Sequence, residues 1–355
     1  MMNAPDRVLT TLQHEEPDRV PYFESTFTNN TIANYFGGKT GGIDGLLRLL
    51  KFIPFKKRLI KIAMRSKRLM KLGMRDIYKL QRSIGMDIAL SASSLFPRIF
   101  YKGNKKEKRK NKNLQFIDEF GRIMQLEYYE GDGTMIVGYV GGYFNDFDEY
   151  ESWEQPDPGD KARVAGFLAG KEIQEEMNNE IFSIPSTAAL MEATWEGFGI
   201  QNFSRLLARR KQAKKVFDDR GKFTVELVKI LAELDAKAIL LFDDYGFKNG
   251  LFMSPKNFRE FVFPWISKAC KAAHEHDCKI ILHSDGDLTE ILPDIIKAGV
   301  DALNPIEPTT ANPDYDIFKL KKTIGDKITL VGNISPILLA TGIIQEIEDY
   351  TLRLL

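Results

Sequence analysis

Four times in its second half the chain drives a short apolar run into a knot of polar and turn residues, and that recurrence constrains the fold more than any other feature. Lys279-Ile280-Ile281-Leu282 breaks into His283-Ser284-Asp285-Gly286, and Ala236-Lys237-Ala238-Ile239-Leu240-Leu241-Phe242 breaks into Asp243-Asp244-Tyr245-Gly246. Val300-Asp301-Ala302-Leu303-Asn304-Pro305-Ile306 runs into Glu307-Pro308, and Lys327-Ile328-Thr329-Leu330-Val331 into Gly332-Asn333. Short apolar runs closed by turn residues fit strands buried on both faces. Each follows a helical stretch, as 288–298 precedes the strand at 300, and such alternation implies a parallel sheet with right-handed crossovers. The expected fold is an α/β (β/α)8 TIM barrel.

The first half supplies three more strands in this reading. Val20-Pro21-Tyr22-Phe23 ends at Glu24, Asp87-Ile88-Ala89-Leu90 ends in Ser91, Ser93 and Ser94, and Ile181-Phe182-Ser183-Ile184 is the third. Two insertions interrupt them: a basic helical segment over 41–82 and a β-hairpin excursion over 113–140 turning at Glu119-Phe120-Gly121-Arg122. The whole of 1–355 then forms a single barrel domain of seven strands, apparently lacking its eighth. A closed barrel leaves no sheet edge whereas seven strands expose two, so the chain is expected to be a fragment or truncated reading frame continuing past Leu355 into a short strand.

Composition narrows the class. With 43% hydrophobic and 28% charged residues, the chain is large enough for one barrel core. No stretch approaches the roughly 20 apolar residues of a membrane span, the start lacks a signal-peptide core, and Cys270 and Cys278 form no CxxC pair. A cytoplasmic protein is expected. The net charge of +1 conceals a division, because 39–112 holds 22 Lys/Arg against 4 Asp/Glu. That segment reads as a basic helical flap over a barrel mouth or a face for an acidic partner, in preference to a nucleic-acid or membrane site.

Polar residues at the C-terminal ends of barrel strands sit where such folds bind ligands. Here they are Glu24, Asp243, Asp244, His283, Asp285, Glu307 and Asn333. Unpaired carboxylates that close raise one another's pKa and need a cation, a donor network or shared protons. A metal centre, a metal-free acid/base site and a structural hydrogen-bond network are the three readings open. In the first, His283, Asp285 and Glu307 are the ligands, since residues two apart on a strand share a face, and Asp243 and Asp244 orient substrate. Glu24, Tyr245 and Asn333 are candidate substrate contacts. Trp195, Phe198, Tyr245 and Phe247 form an apolar wall or ordinary core. His274-x-His276 lies before its strand, at the other end of the barrel, and reads as a helix C-terminus.

Several motifs together resemble the uroporphyrinogen decarboxylase superfamily, which includes the cobamide-dependent methyltransferases. They are Arg7-Val8-Leu9 through Glu16-Pro17-Asp18-Arg19-Val20-Pro21, Asp118-Glu119-Phe120-Gly121, Asp243-Asp244 with Ser254-Pro255 and Phe261-Val262-Phe263-Pro264, His283-x-Asp285-Gly286, Asn304-Pro305-Ile306-Glu307-Pro308 and Gly332-Asn333. The decarboxylase branch implies an arginine-rich loop after strand one and an aspartate after strand two. This chain offers Glu24-Ser25-Thr26-Phe27 and Ser91-Ala92-Ser93-Ser94 there, and an acidic Glu24 repels a polycarboxylate. The methyltransferase branch implies a His-x-Cys zinc motif on strand five; here Asp285 stands at the cysteine position. A harder His/carboxylate set still suits zinc and suits polarising the oxygen or nitrogen of a methyl donor. The resemblance thus implies metal-assisted methyl transfer between a small donor or acceptor and a corrinoid on a carrier protein, with a homodimer left open. The rivals are a uroporphyrinogen decarboxylase-like lyase and a non-catalytic tetrapyrrole-binding barrel.

Overall fold

A computed structural model describes residues 1–24, 30–36, 62–94, 96–100, 114–128 and 135–355. Six parallel strands form the main sheet: β1 (Ile88–Ala92), β6 (Phe182–Ala188), β7 (Ala238–Phe242), β10 (Lys279–His283), β11 (Ala302–Asn304) and β12 (Thr329–Leu330), in that spatial order. Helices cross between them, and none of the described helices is long and apolar enough to span a membrane.

The strands carry two apolar faces, as period-two alternation requires. Ile88, Ile184, Leu240, Ile281 and Ala302 share one cluster with Ala4, Val8 and Leu12 of the helix Ala4–Leu12. Ile88 of β1 at one end of the sheet and Val331, just after β12 at the other, both pack in this interior, so the sheet curls around it, and the helix stops its lower end. The opposite face, with Ile239, Leu241, Ile280, Leu282 and Leu303, packs on the crossover helices. Each fully buried aliphatic side chain contributes about 1.5–3 kcal/mol.

The segment expected as the first strand is not one. The Tyr22 carbonyl accepts the Asp87 amide at 2.8 Å, but the Tyr22 amide donates to the Asp87 carboxylate at 2.7 Å, and Pro21 has no N–H to give a ladder. Asp87, 1% exposed, also accepts from Arg7 and twice from Arg19, each at 2.8 Å. Arg7 completes the knot by pairing with Asp18. The opening motif therefore holds the barrel's lower end together.

The excursion is larger than a hairpin. β2 (Pro97–Phe100), β3 (Leu114–Asp118), β4 (Arg122–Tyr128) and β5 (Met135–Gly142) form an antiparallel sheet in chain order. Its tight turn is held by Asp118, which accepts the Phe120 and Arg122 amides at 2.9 and 3.0 Å and the Arg122 guanidinium at 2.7 Å.

Of the basic segment, 37–61 and 101–113 lie outside the described residues. The helix Lys67–Ser83 is no flap over the mouth. It lies against the helix Ala162–Glu176, with Lys71 reaching Glu172 and Glu176 at 2.8 and 2.7 Å, Arg75 reaching Glu176 at 3.1 Å, and Lys67 also paired to Glu172. An acidic helix of the same chain answers those charges.

Candidate active site

The site follows from strand parity. Leu240, Ile281 and Ala302 face the interior, so Phe242, His283 and Asn304, two residues on, face it one layer higher. The parallel register sets His283 beside Phe242 on one side and Asn304 on the other. The Phe242 and His283 ring centroids are 4.9 Å apart, and His283 Nδ1 is 2.7 Å from Asn304 Oδ1.

One more inward step reaches Asp244 above Phe242 and Asp285 above His283. Asp244 Oδ1 accepts the Asp285 amide at 2.9 Å, locking the two loops together. Ligand-capable atoms of Asp244, His283 and Asp285 all lie within 4.8 Å of one another. A cradle of one imidazole and two carboxylates suits a divalent cation.

Glu307 stands beside that trio without joining it. Its Oε2 accepts the Gly286 amide at 2.8 Å, and its Oε1 accepts the Thr309 hydroxyl. Gly286 has φ of +95°, and a Cβ there would lie 2.4 Å from the Gly246 carbonyl carbon and the Phe247 nitrogen. Only glycine lets the β10 loop nest in this way against β8 (Gly246–Phe247), which pairs antiparallel with β9 (Gly250–Leu251).

Crowded carboxylates leave an electrostatic mark. Burial, and then the charges of Glu192, Asp285 and Glu307, push the Asp244 carboxyl up to about 8, against the Asp285 amide that favours its anion. Asp285, nearer the rim, is displaced upward by partial withdrawal from water and by Glu307, against the pull of His283. A cation placed among these oxygens relieves the strain.

Other expected residues go elsewhere. Asp243 points to the opposite face, is fully buried, and accepts the Glu192 amide at 2.9 Å at the start of the helix Met191–Ala208. Burial pushes its carboxyl up to about 8. Tyr245 is buried in the core against Phe258 and Phe263, with ring centroids at 5.2 and 6.1 Å, so it is no surface for substrate. Asn333 is engaged at both ends, donating to the Ile306 carbonyl at 2.8 Å and accepting the Tyr350 hydroxyl at 2.7 Å. Glu24 is exposed at the edge of a described segment, outside the cradle. Trp195 stacks on Phe252 at 4.9 Å, and Phe198 lies in the core. His274 bonds Asp301 at 2.8 Å below β11, as its position before β10 implied.

Two contributors escaped the sequence reading. Asn304 was visible only as part of a motif, and its contact with His283 needs the β10–β11 register. Glu192, whose carboxylate bears on Asp244, lies 3.5 Å from the buried Arg122, which also pairs with Asp118 and Glu196. No local signal in the chain announces it.

Known proteins share this architecture. A family model described as uroporphyrinogen decarboxylase (URO-D) matches residues 124–355. A uroporphyrinogen decarboxylase of Chlorobium phaeobacteroides is 26% identical over 175 residues, 47% of each chain. A methylated-thiol--coenzyme M methyltransferase of Methanosarcina mazei is 23% identical over 182 residues, 51% of this chain and 46% of the relative. The chain thus spans about half the length of the curated relatives it matches. A solved methyltransferase from Methanosarcina mazei superposes with a TM-score of 0.65 over 98% of this chain and 88% of that one, at 17% identity, a likeness of fold. The six-stranded parallel sheet, the strand-end motifs and a family match over well more than half of the residues lead to one conclusion: this chain belongs to the uroporphyrinogen decarboxylase family.

Proposed function

We propose that the chain is a metal-assisted methyltransferase, moving a methyl group between a small donor or acceptor and a corrinoid held by a separate carrier protein. The observation that carries the reading is the Asp244, His283 and Asp285 cradle, whose ligand atoms lie within 4.8 Å of one another at the barrel mouth. The donor set fits zinc through one nitrogen and carboxylate oxygens. The cation, when bound, supplies Lewis acidity that makes the methyl donor's oxygen or nitrogen a better leaving group.

The chain's own residues do the rest. Asp244 and Asp285 would hold the cation through oxygens that give up their protons when it binds, and Phe242 provides an apolar floor beside His283. Glu307, through the Gly286 amide, fixes the loop that presents Asp285. The ligand trio therefore differs from the one expected from sequence, with Asp244 in the place of Glu307. A relative whose name is a methyltransferase and a fold shared with another support the reading.

The decarboxylase rival, carried by the names of several relatives, must bring a polycarboxylate to a mouth holding Asp244, Asp285 and Glu307. Like charges in a poorly solvated site make that unfavourable. The experiment loads the purified chain with zinc and offers methylcob(III)alamin or cob(I)alamin with a panel of thiols and of methylated oxygen and nitrogen compounds. Cobalamin spectra are expected to change with one of them, and His283→Ala or Asp244→Ala should abolish the change. Conversion of uroporphyrinogen to coproporphyrinogen would overturn the proposal. Tetrapyrrole binding that survives both substitutions, without turnover, would favour the non-catalytic barrel.

A further inference from the structure

We infer that Asn304 is the positioning residue that selects the tautomer of His283, keeping the proton on Nδ1 and turning the Nε2 lone pair into the mouth. The inference deepens the metal-assisted reading, on which its consequence for ligation rests, but its geometry is independent of any metal.

Paired residues on adjacent parallel strands project side by side on the same face, and His283 and Asn304 are such a pair. Nδ1 and the amide oxygen are 2.7 Å apart. An amide oxygen can only accept, so the short contact requires Nδ1–H, and the neutral ring then carries its lone pair on Nε2. Asn304 is 8% exposed, and its backbone carbonyl accepts the Ser284 amide at 2.7 Å, which fixes the strand position from which the side chain reaches His283.

The opposite choice is a genuine competitor. Without a partner on Nδ1, the Asp244 and Asp285 carboxylates, each with an oxygen within 4.8 Å of a His283 ring nitrogen, would compete for the ring proton, and a nitrogen that donates is useless as a ligand. Asn304 tips this balance toward ligation. An outer partner of this kind is typically worth 10–100-fold in metal affinity.

The test uses the metal-free full chain, uniformly labelled with nitrogen-15. With 4 histidines in the sequence, long-range proton–nitrogen correlation resolves each ring, and His283→Gln identifies the signals of interest. Measurements at about pH 8.5, where a model imidazole is neutral, are expected to show a protonated Nδ1 and an unprotonated Nε2. Asn304→Leu should shift the population toward Nε2–H and weaken Co²⁺ binding about 10–100-fold. Asn304→Asp, which still accepts from Nδ1–H, should restore the tautomer. Nε2–H in the unaltered chain would overturn the inference, as would an Asn304→Leu spectrum indistinguishable from it. A correct tautomer in a chain that transfers no methyl group would instead count against the proposed function alone.

Discussion

Metal affinity should rise about fivefold between pH 7 and pH 8, and Asp244 should be the reason. A carboxyl must be ionised to ligate, and that of Asp244 is held up to about 8, first by burial and then by Glu192, Asp285 and Glu307. With the pKa raised, the group is neutral below that pH, so binding must first expel a proton. Well below the pKa the cost grows by about 1.4 kcal/mol per pH unit, a factor of ten in apparent affinity; it shrinks to about a factor of two at the pKa and vanishes above it. Asp285, displaced in the same direction, steepens the slope. Competition between the chain and a chelator for Zn²⁺ or Co²⁺, read at intervals from pH 7 to 9, measures it directly. Asp244→Ala should both weaken binding and flatten the profile, whereas Glu307→Gln, which removes no member of the trio, should leave affinity within about tenfold, the low end of outer-partner effects. A flat profile in the unaltered chain would refute the reasoning. So would loss of binding in Glu307→Gln with retention in Asp244→Ala.

Three further outcomes follow from the scaffold. Asp87→Ala strips a buried carboxylate from Arg7, Arg19 and the Tyr22 amide and should cost about 3–5 kcal/mol in urea unfolding; Arg19→Ala, whose side chain is 48% exposed, should cost about 1 kcal/mol or less. Equal costs would show that Asp87 is not the hub. Gly286→Ala forces a Cβ against β8 backbone at a positive φ and should lower the melting temperature and metal affinity together; an unchanged melt would contradict the close approach. Asp243→Asn bears on pH dependence. The folded carboxyl is raised to about 8 above its unfolded value, so the unaltered protein loses stability as pH rises from about 4 toward 8. The amide variant should gain on it across that window and run parallel above.

How much of this was legible depended on how far a side chain lies from the strand that carries it. The strands ending at Phe242, His283 and Asn304 were readable from apolar runs, and His283 with Asp285 on one face followed from period two alone. The choice between Asp243 and Asp244 follows from the same rule, since Asp244 shares parity with Leu240. Glu307 misled because parity fails once the chain leaves β11 through Pro305, and its carboxylate turns to the Gly286 amide instead. Asn304 and Glu192 act across strand and helix boundaries, where register decides and no local pattern reports it. The basic run shows the same limit. Its sign was plain, but its partners Glu172 and Glu176 lie about a hundred residues on.

Asp243 and Asp244 show how one dipeptide serves two structural demands at a strand end. Both carboxyls are pushed up to about 8, first by burial and then by the charge of Glu192, but Asp243 lies behind the sheet and Asp244 in the mouth, where Asp285 and Glu307 add to the shift. Asp243 holds the start of the helix that carries Glu192, and Glu192 in turn bears on Asp244. The outward residue therefore places a charge that tunes the inward one. Removing Asp243 should act on the site only through that helix, so a variant keeping an acceptor, Asp243→Asn, ought to leave the pH profile of metal binding nearly unmoved. Asp243→Ala, which frees the Glu192 amide, ought to shift its midpoint. If both variants shift it equally, the charge of Asp243 itself reaches the mouth, and the division of labour drawn from strand parity is wrong.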